Sequence, residues 1–299
     1  MLALAVTGPL GLVPEAGFSA LTASSEAGAQ SEALVVATKG LIAFTLVTES
    51  YLDVMENFVA HMRQELPTVT YEVHAYDQPT ANRCSQVVSP PGSCIHNASP
   101  WPLGNTSTWY ANPFYELKVE VLQDVLSRAD AALMLDITAL VANEGCLLEL
   151  LSTDDSIVTS SSVGNFPKTF QQDFGRVGNM GTILFRRGTR PFVASWLKEM
   201  RDDLHNHADQ SLRLTEQERF HGVLRRYQFD VEDRLACFKL EHDCAGTALV
   251  EGGKLGVRFL SFKHWPRVSK KSDGKCLYHP WVHSDRKTKY RQDGWWYLP

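Results

Sequence analysis

The residues best suited to chemistry fall in four short segments. The apolar run Ala131-Ala132-Leu133-Met134-Leu135 ends at Asp136. A carboxylate just past the carboxyl end of a buried strand lies where open α/β sheets bind their ligands. Asn179-Met180-Gly181 joins an amide side chain to a residue that lets other groups approach the backbone closely. His205-x-His207-x-Asp209-Gln210 has the ligand spacing of metallo-hydrolases, but that chemistry needs a further His where Gln210 stands. Finally, the stretch from His279 to Lys289 offers imidazoles that can ligate a metal and ammonium groups that can neutralise a phosphate. His279 and His283 compete for the first role, and Lys287 and Lys289 for the second.

These segments need elements to bring them together. Residues 34–36 and 41–47 are apolar and β-branched and are expected to enter a sheet as a buried strand. Residues 53–66 follow with helical spacing and 69–76 with strand character, a β-α-β unit that predicts a parallel sheet with a right-handed crossover. Residues 78–112, rich in proline, are expected to be loop. A helix is expected over 114–126, the strand over 131–135, a helix over 144–151 and a strand over 157–161. A strand over 182–185 precedes helices over 191–204 and 216–227. The tail from Phe259 is aromatic and basic, with Trp265, Trp281, Trp295 and Trp296. No internal repeat or second-domain linker is visible.

The bulk composition sets limits. A chain of 299 residues with 44% apolar and 21% charged residues can form one large α/β domain. A net charge of -5 gives no electrostatic reason to bind nucleic acid or anionic membrane. Basic residues concentrated from Lys263 to Lys289 suit a small anion such as a diphosphate better than a polyanion. Six cysteines contain no C-x-x-C pair. Cys84 and Cys94 flank a Pro/Ser/Gly-rich loop, and proximity alone pairs them. The sequons at Asn97 and Asn105 follow directly. Sequons beside a local disulfide favour an oxidising, glycosylating compartment of the secretory pathway, the Golgi lumen or the exterior. Residues 1–38 read as a leader or flexible stem, with 39–299 as the folded domain. Nothing in the chain reaches the ~18–20 apolar residues that span a bilayer.

The order of motifs carries a resemblance. A strand with Leu-Val-Thr leads to a helix-strand pair and then to Phe-Tyr-x-Leu-Lys opening a helix. An apolar strand ending in Asp136 is followed by Asn-x-Gly-x-x-x-Phe-Arg, a helix with Trp196 and Asp209-Gln210. A late His, a Lys and Gly-Trp-Trp close the series. From about residue 41 to 297 this resembles the nucleotide-diphospho-sugar transferases that include plant cell-wall xylosyl- and arabinosyltransferases. The resemblance implies a GT-A-like single α/β domain with a mostly parallel central sheet flanked by helices. It implies a glycosyltransferase that moves a hexose or pentose from a UDP-sugar to a glycan or glycoprotein acceptor, with retention of configuration.

Roles follow from the same resemblance. Asp209 and Gln210 would stand beside the anomeric carbon as catalytic residues, and Asn179 and Gly181 would bind the donor sugar. Thr48, Tyr51, Lys118, Asp136 and Lys289 would bind the nucleotide, Tyr51 by stacking on the base. Asp136 and His279 would hold Mn²⁺ or Mg²⁺. Asp136-Ile137-Thr138 departs from the Asp-x-Asp pattern, because its second acid is Thr138. On an extended segment the outer two residues would face one side and share an ion. A hydroxyl is a poorer ligand than a carboxylate, so a sugar- or partner-binding protein without turnover is the alternative.

Overall fold

A computed structural model describes residues 35–97, 113–161, 167–206, 215–237, 243–260, 271–279 and 285–299; the side chains of residues 113, 203–206, 236 and 272 are not among those described. The centre is a nine-stranded sheet. In chain order its strands are β1 (Leu41–Val47), β2 (Tyr71–Ala75), β3 (Gly92–His96), β4 (Ala131–Leu135), β6 (Ile157–Ser161), β7 (Gly178–Arg186), β8 (Asp230–Val231), β9 (Cys244–Val250) and β10 (Gly253–Leu260). They lie in the order β3-β2-β1-β4-β7-β6-β10-β9-β8. Only β7 and β9 run against the rest, so the sheet is mostly parallel. A small second sheet pairs β5 (Leu140–Val141) with β11 (Leu277–Tyr278).

The helices are α1 (Leu52–Glu65), α2 (Gln78–Val87), α3 (Pro113–Arg128), α4 (Glu144–Leu151), α5 (Lys168–Phe174), α6 (Arg190–Asn206), α7 (Glu216–Arg226), α8 (Arg234–Cys237) and α9 (Arg286–Gln292). Strand alternation divides the core between the two faces of the sheet. Ala131, Leu133 and Leu135 join α1, α4 and the C-terminal Tyr278, Tyr290 and Trp295 on one face. Ala132 and Met134 join α3, α6 and α7 on the other. β2 and β4 flank β1 on opposite sides, and the chain reverses direction of travel across the sheet between β1 and β4. This is the switch point whose carboxyl-end crevice takes ligands in open α/β sheets.

Several sequence expectations need correction. Residues 35–37 form a helical turn rather than a strand, with Val35 and Val36 53% and 75% exposed. Among the described residues no neighbouring strand pairs with them, so apolar character alone does not make an extended segment. Within 78–112, α2 and β3 replace the expected loop. Asp77 caps α2 by accepting from the Thr80 N–H at 2.7 Å, and Pro79 occupies its first turn, where no amide is needed. The hairpin of β9 and β10 was not anticipated.

Cys84 is bonded to Cys94 as expected, and Cys146–Cys276 and Cys237–Cys244 are bonded as well. Among the described residues, no helix is long and apolar enough to cross a membrane.

Candidate active site around Asp136

β4 and β7 run antiparallel, so the amino end of β7 lies beside the carboxyl end of β4. The Asp136 N–H donates to the Gly181 carbonyl at 2.8 Å, carrying the ladder one residue past β4. The Ala139 N–H then donates back to the Asp136 carbonyl at 2.7 Å. Residues 136–139 are therefore a tight turn, and the extended alternation expected of Asp136 and Thr138 does not occur. Thr138 is half-buried, and its carbonyl accepts from the Tyr290 hydroxyl at 2.7 Å.

α3 brings Lys118, only 4% exposed, beneath this turn. Its Nζ donates to Asp136 Oδ1 at 2.6 Å, to the Met180 carbonyl at 3.1 Å and to Glu216 Oε1 at 3.5 Å. Each of the three ammonium donors thus has an acceptor. Burial disfavours the Lys118 charge, but the Asp136 and Glu216 carboxylates outweigh it and raise the lysine pKa. For Asp136, burial pushes upward, and the charges of Lys118 and His279 with the Lys118 hydrogen bond hold the carboxyl below its ordinary range. Glu216 goes the other way: burial raises it, Lys118 pulls it down, and Asp136 adds to the rise. Asp136 is thus the carboxyl of the pair that is held ionised.

His279 arrives from the opposite side. β11 pairs with β5 in the register Tyr278↔Leu140, and this lays the next residue against the Asp136 turn. His279 is 7% exposed, and its Nε2 lies 3.6 Å from Asp136 Oδ2. That spacing is too long for a hydrogen bond. Gly181 makes the approach possible, because a Cβ there would stand 2.3 Å from His279 Cε1. The close approach expected at Gly181 is therefore made by His279. Asn179 turns its Oδ1 to the Gly181 N–H at 2.6 Å, leaving its Nδ2 as a donor without a partner among the described residues.

The donor set fits a divalent ion in part. Asp136 Oδ2 and His279 Nε2 supply one oxygen and one nitrogen, while Lys118 occupies the other carboxylate oxygen. No group of three His, Cys, Asp or Glu that could hold an ion occurs among the described residues. Two protein ligands would leave the remaining positions to phosphate oxygens and water, as is usual for a hard cation on a phosphorylated substrate.

The other expected residues divide. Thr48 follows β1 at the carboxyl edge, with its Oγ1 3.2 Å from Ser50 Oγ. Tyr51 lies in the next turn, and the Arg286 guanidinium sits over its ring. Lys289 is bonded to Asp293. Asp209, Gln210, His207, His283 and Asn105 lie outside the described residues, as does the side chain of His205.

Two further residues escaped sequence reasoning. Glu216 opens α7, which a Thr215–Glu218 capping box starts. Nothing local distinguishes Glu216 from an exposed first-turn acid. His221 accepts the Gly178 N–H at its Nε2 (2.8 Å) and donates from Nδ1 to the Gln217 carbonyl (2.7 Å), so it anchors the start of β7. Burial lowers its pKa to about 4 and keeps the ring neutral.

No family model and no curated protein matches the chain. Solved structures do. An active-site mutant of LgtC, a galactosyltransferase also solved with donor and acceptor sugar analogs, is 12% identical. The match covers 85% of this chain and 95% of that one at a TM-score of 0.50. The bifunctional glycosyltransferase WbbM is 9% identical over 85% of this chain and 48% of its own, also at 0.50. Mouse xyloside xylosyltransferase 1 is 11% identical over 82% and 98% of the two chains, at 0.44. The two matches at a TM-score of 0.50 show that the chain has the GT-A glycosyltransferase fold.

Proposed function

We propose that this chain transfers a sugar, a hexose or a pentose, from a UDP-sugar to a glycan or glycoprotein acceptor, with retention of configuration. The observation that carries the reading is the meeting of Asp136, Lys118 and His279 at the carboxyl edge of the sheet, at the switch point of a GT-A fold. Asp136 Oδ2 and His279 Nε2 would hold Mn²⁺ or Mg²⁺. When bound, such an ion neutralises the charge that develops on a departing diphosphate. Lys118 fixes the carboxylate by its Oδ1, so that Oδ2 keeps its orientation. The Nδ2 of Asn179 is a donor for a sugar hydroxyl, with Gly181 seating His279 beside it. Thr48 and Tyr51 line the nucleotide end. Asp209 and Gln210 would stabilise the oxocarbenium-like transition state electrostatically.

Residues 39–299 form the transferase domain in this reading, and 1–38 a leader or stem. Three disulfides and no free cysteine suit an oxidising compartment, the Golgi lumen or the exterior.

A panel of UDP-sugars with Mn²⁺, scored for UDP release and for calorimetric UDP binding, tests the proposal. Wild type should bind UDP in an EDTA-sensitive manner, and His279→Ala should lose at least tenfold in affinity, roughly the worth of a ligand or its positioning. UDP binding indifferent to EDTA would remove the ion from the site. A second reading rests on Thr138 and the short donor set: a sugar- or partner-binding protein, in which UDP binds without turnover of any donor.

A further inference from the structure

β3 is an edge strand of the sheet, and Asn97 follows it directly. The Asn97 N–H donates to the Ala75 carbonyl at 2.9 Å, so the ladder to β2 runs on into the first residue of the sequon Asn97-Ala98-Ser99. The side chain turns inwards. Its Nδ2 stands 2.8 Å from His74 Nδ1, and the Tyr76 hydroxyl is hydrogen-bonded to the same side chain. His74 is only 2% exposed and Tyr76 only 4%.

The direction of the bond to His74 follows from what stands behind the imidazole. His74 Nε2 lies 3.1 Å from Glu72 Oε2, and the two Glu72 oxygens accept from the Arg128 guanidinium at 2.6 and 2.7 Å. Burial pushes the Glu72 carboxyl up, but the hydrogen bonds from His74 and Arg128 outweigh it and lower the pKa to about 2. An ionised carboxylate only accepts, so Nε2 carries the hydrogen. A neutral ring then turns the lone pair of Nδ1 to Asn97, whose Nδ2 donates. Arg128, Glu72, His74 and Asn97 thus form one buried relay, with Phe44 edge-on to the imidazole.

N-glycosylation needs the same atom. The sugar C1–Nδ2 bond forms as the C1–O bond to an activating diphosphate breaks, and Nδ2 loses one proton. The acceptor asparagine must be exposed on a surface loop. Here Nδ2 faces two buried rings and the backbone is already paired. We infer that Asn97 is open to N-glycosylation only while β3 is undocked, and that the folded protein carries it unmodified, as the amide that completes this relay. The Cys84–Cys94 bond ties β3 to α2 and so holds the sequon closed.

Occupancy is read on the full chain directed into the lumen of a glycosylating cell. Enzymatic deglycosylation in heavy-oxygen water leaves a labelled aspartate wherever a glycan was attached, and peptide mapping of the cell-associated and secreted fractions finds it. All chains carry Pro100→Ala, so that a proline beside the sequon does not limit transfer. Asn97 should be unlabelled in the parent. It should gain label in His74→Ala and in Cys84→Ser with Cys94→Ser, which loosen β3. Ser99→Ala removes the sequon but keeps the amide, and should melt with the parent. Asn97→Leu should melt roughly 4–8 °C lower, the loss expected when a buried acceptor is left unsatisfied. A labelled Asn97 in the folded parent would overturn the inference. So would an Asn97 that stays unlabelled in both loosened variants, because the fold would then not be what silences it. Equal melting of Asn97→Leu and Ser99→Ala would overturn the place of the amide in the relay.

Discussion

Asp136 is held from two sides by different means. On one side Lys118, the Met180 carbonyl and Glu216 form a buried polar cluster supplied by α3, β7 and α7. On the other, His279 is delivered by the C-terminal tail. The Cys146–Cys276 bond, the pairing of β11 with β5, and the stack of Tyr278 on Trp295 fasten that tail. Buried Asn57 of α1 adds two hydrogen bonds, donating to the Trp295 carbonyl at 3.0 Å and accepting from the Tyr297 N–H at 2.7 Å. The first side is electrostatic and demands full compensation of charge. The second is covalent and aromatic, and it carries His279 across a large sequence separation. One side stabilises the ionised Asp136, and the other decides what stands opposite it.

Breaking the electrostatic side should have the largest effect. Lys118→Met leaves Asp136 and Glu216 without their shared cation, and should cost about 3–5 kcal/mol of folding stability, as expected for one partner lost from a buried pair. Urea denaturation measures this, and a loss under about 1 kcal/mol would show that solvent at the partly open Asp136 already compensates the cluster.

Breaking the tail side should cost less fold and more function. Replacing Cys146 and Cys276 together by Ser opens a loop of 130 residues and should cost about 2–4 kcal/mol. The same variant should lose most of the EDTA-sensitive part of UDP binding, because His279 lies three residues from Cys276. Retention of that sensitivity would mean that the β5–β11 pairing alone seats the imidazole.

Gly181→Ala tests the place where the two sides meet. The added methyl would displace His279, at about 1–3 kcal/mol for overpacking, with a disproportionate loss of metal-dependent UDP affinity. Equal UDP affinity in wild type and variant would show that His279 does not ligate.

The smallest effect is expected for Thr138→Asp. A carboxylate in the turn should tighten Mn²⁺-dependent UDP binding by a few-fold, about 0.5–1 kcal/mol. Weaker binding would indicate that the new charge faces the diphosphate without an ion between them.

Much of the fold was legible because its signals are local. β4, α4 and β6 fall where the apolar runs and helical spacing put them. α2 is hidden in the sequence although Asp77 and Pro79 mark its start, because proline-rich composition reads as loop. In the site, Asp136, Lys118, Asn179 and His279 were named from the order of motifs. Their contacts were not, and Glu216, His221 and the Cys146–Cys276 bond were not anticipated.

The sequence alone determined the elements with strong periodicity and the identity of the carboxylate at the end of β4, and proximity suggested the Cys84–Cys94 pairing. Each depends on residues close together in the chain, where spacing translates directly into geometry. The tertiary structure decided that Asp136 begins a turn, that Gly181 makes room for an imidazole, and that Lys289 is bound to Asp293 while Arg286 lies on Tyr51. Those outcomes depend on which faces of distant elements meet. Helical spacing places Arg286, Lys287 and Lys289 on different faces of α9, but only packing decides that they meet Tyr51, Trp296 and Asp293.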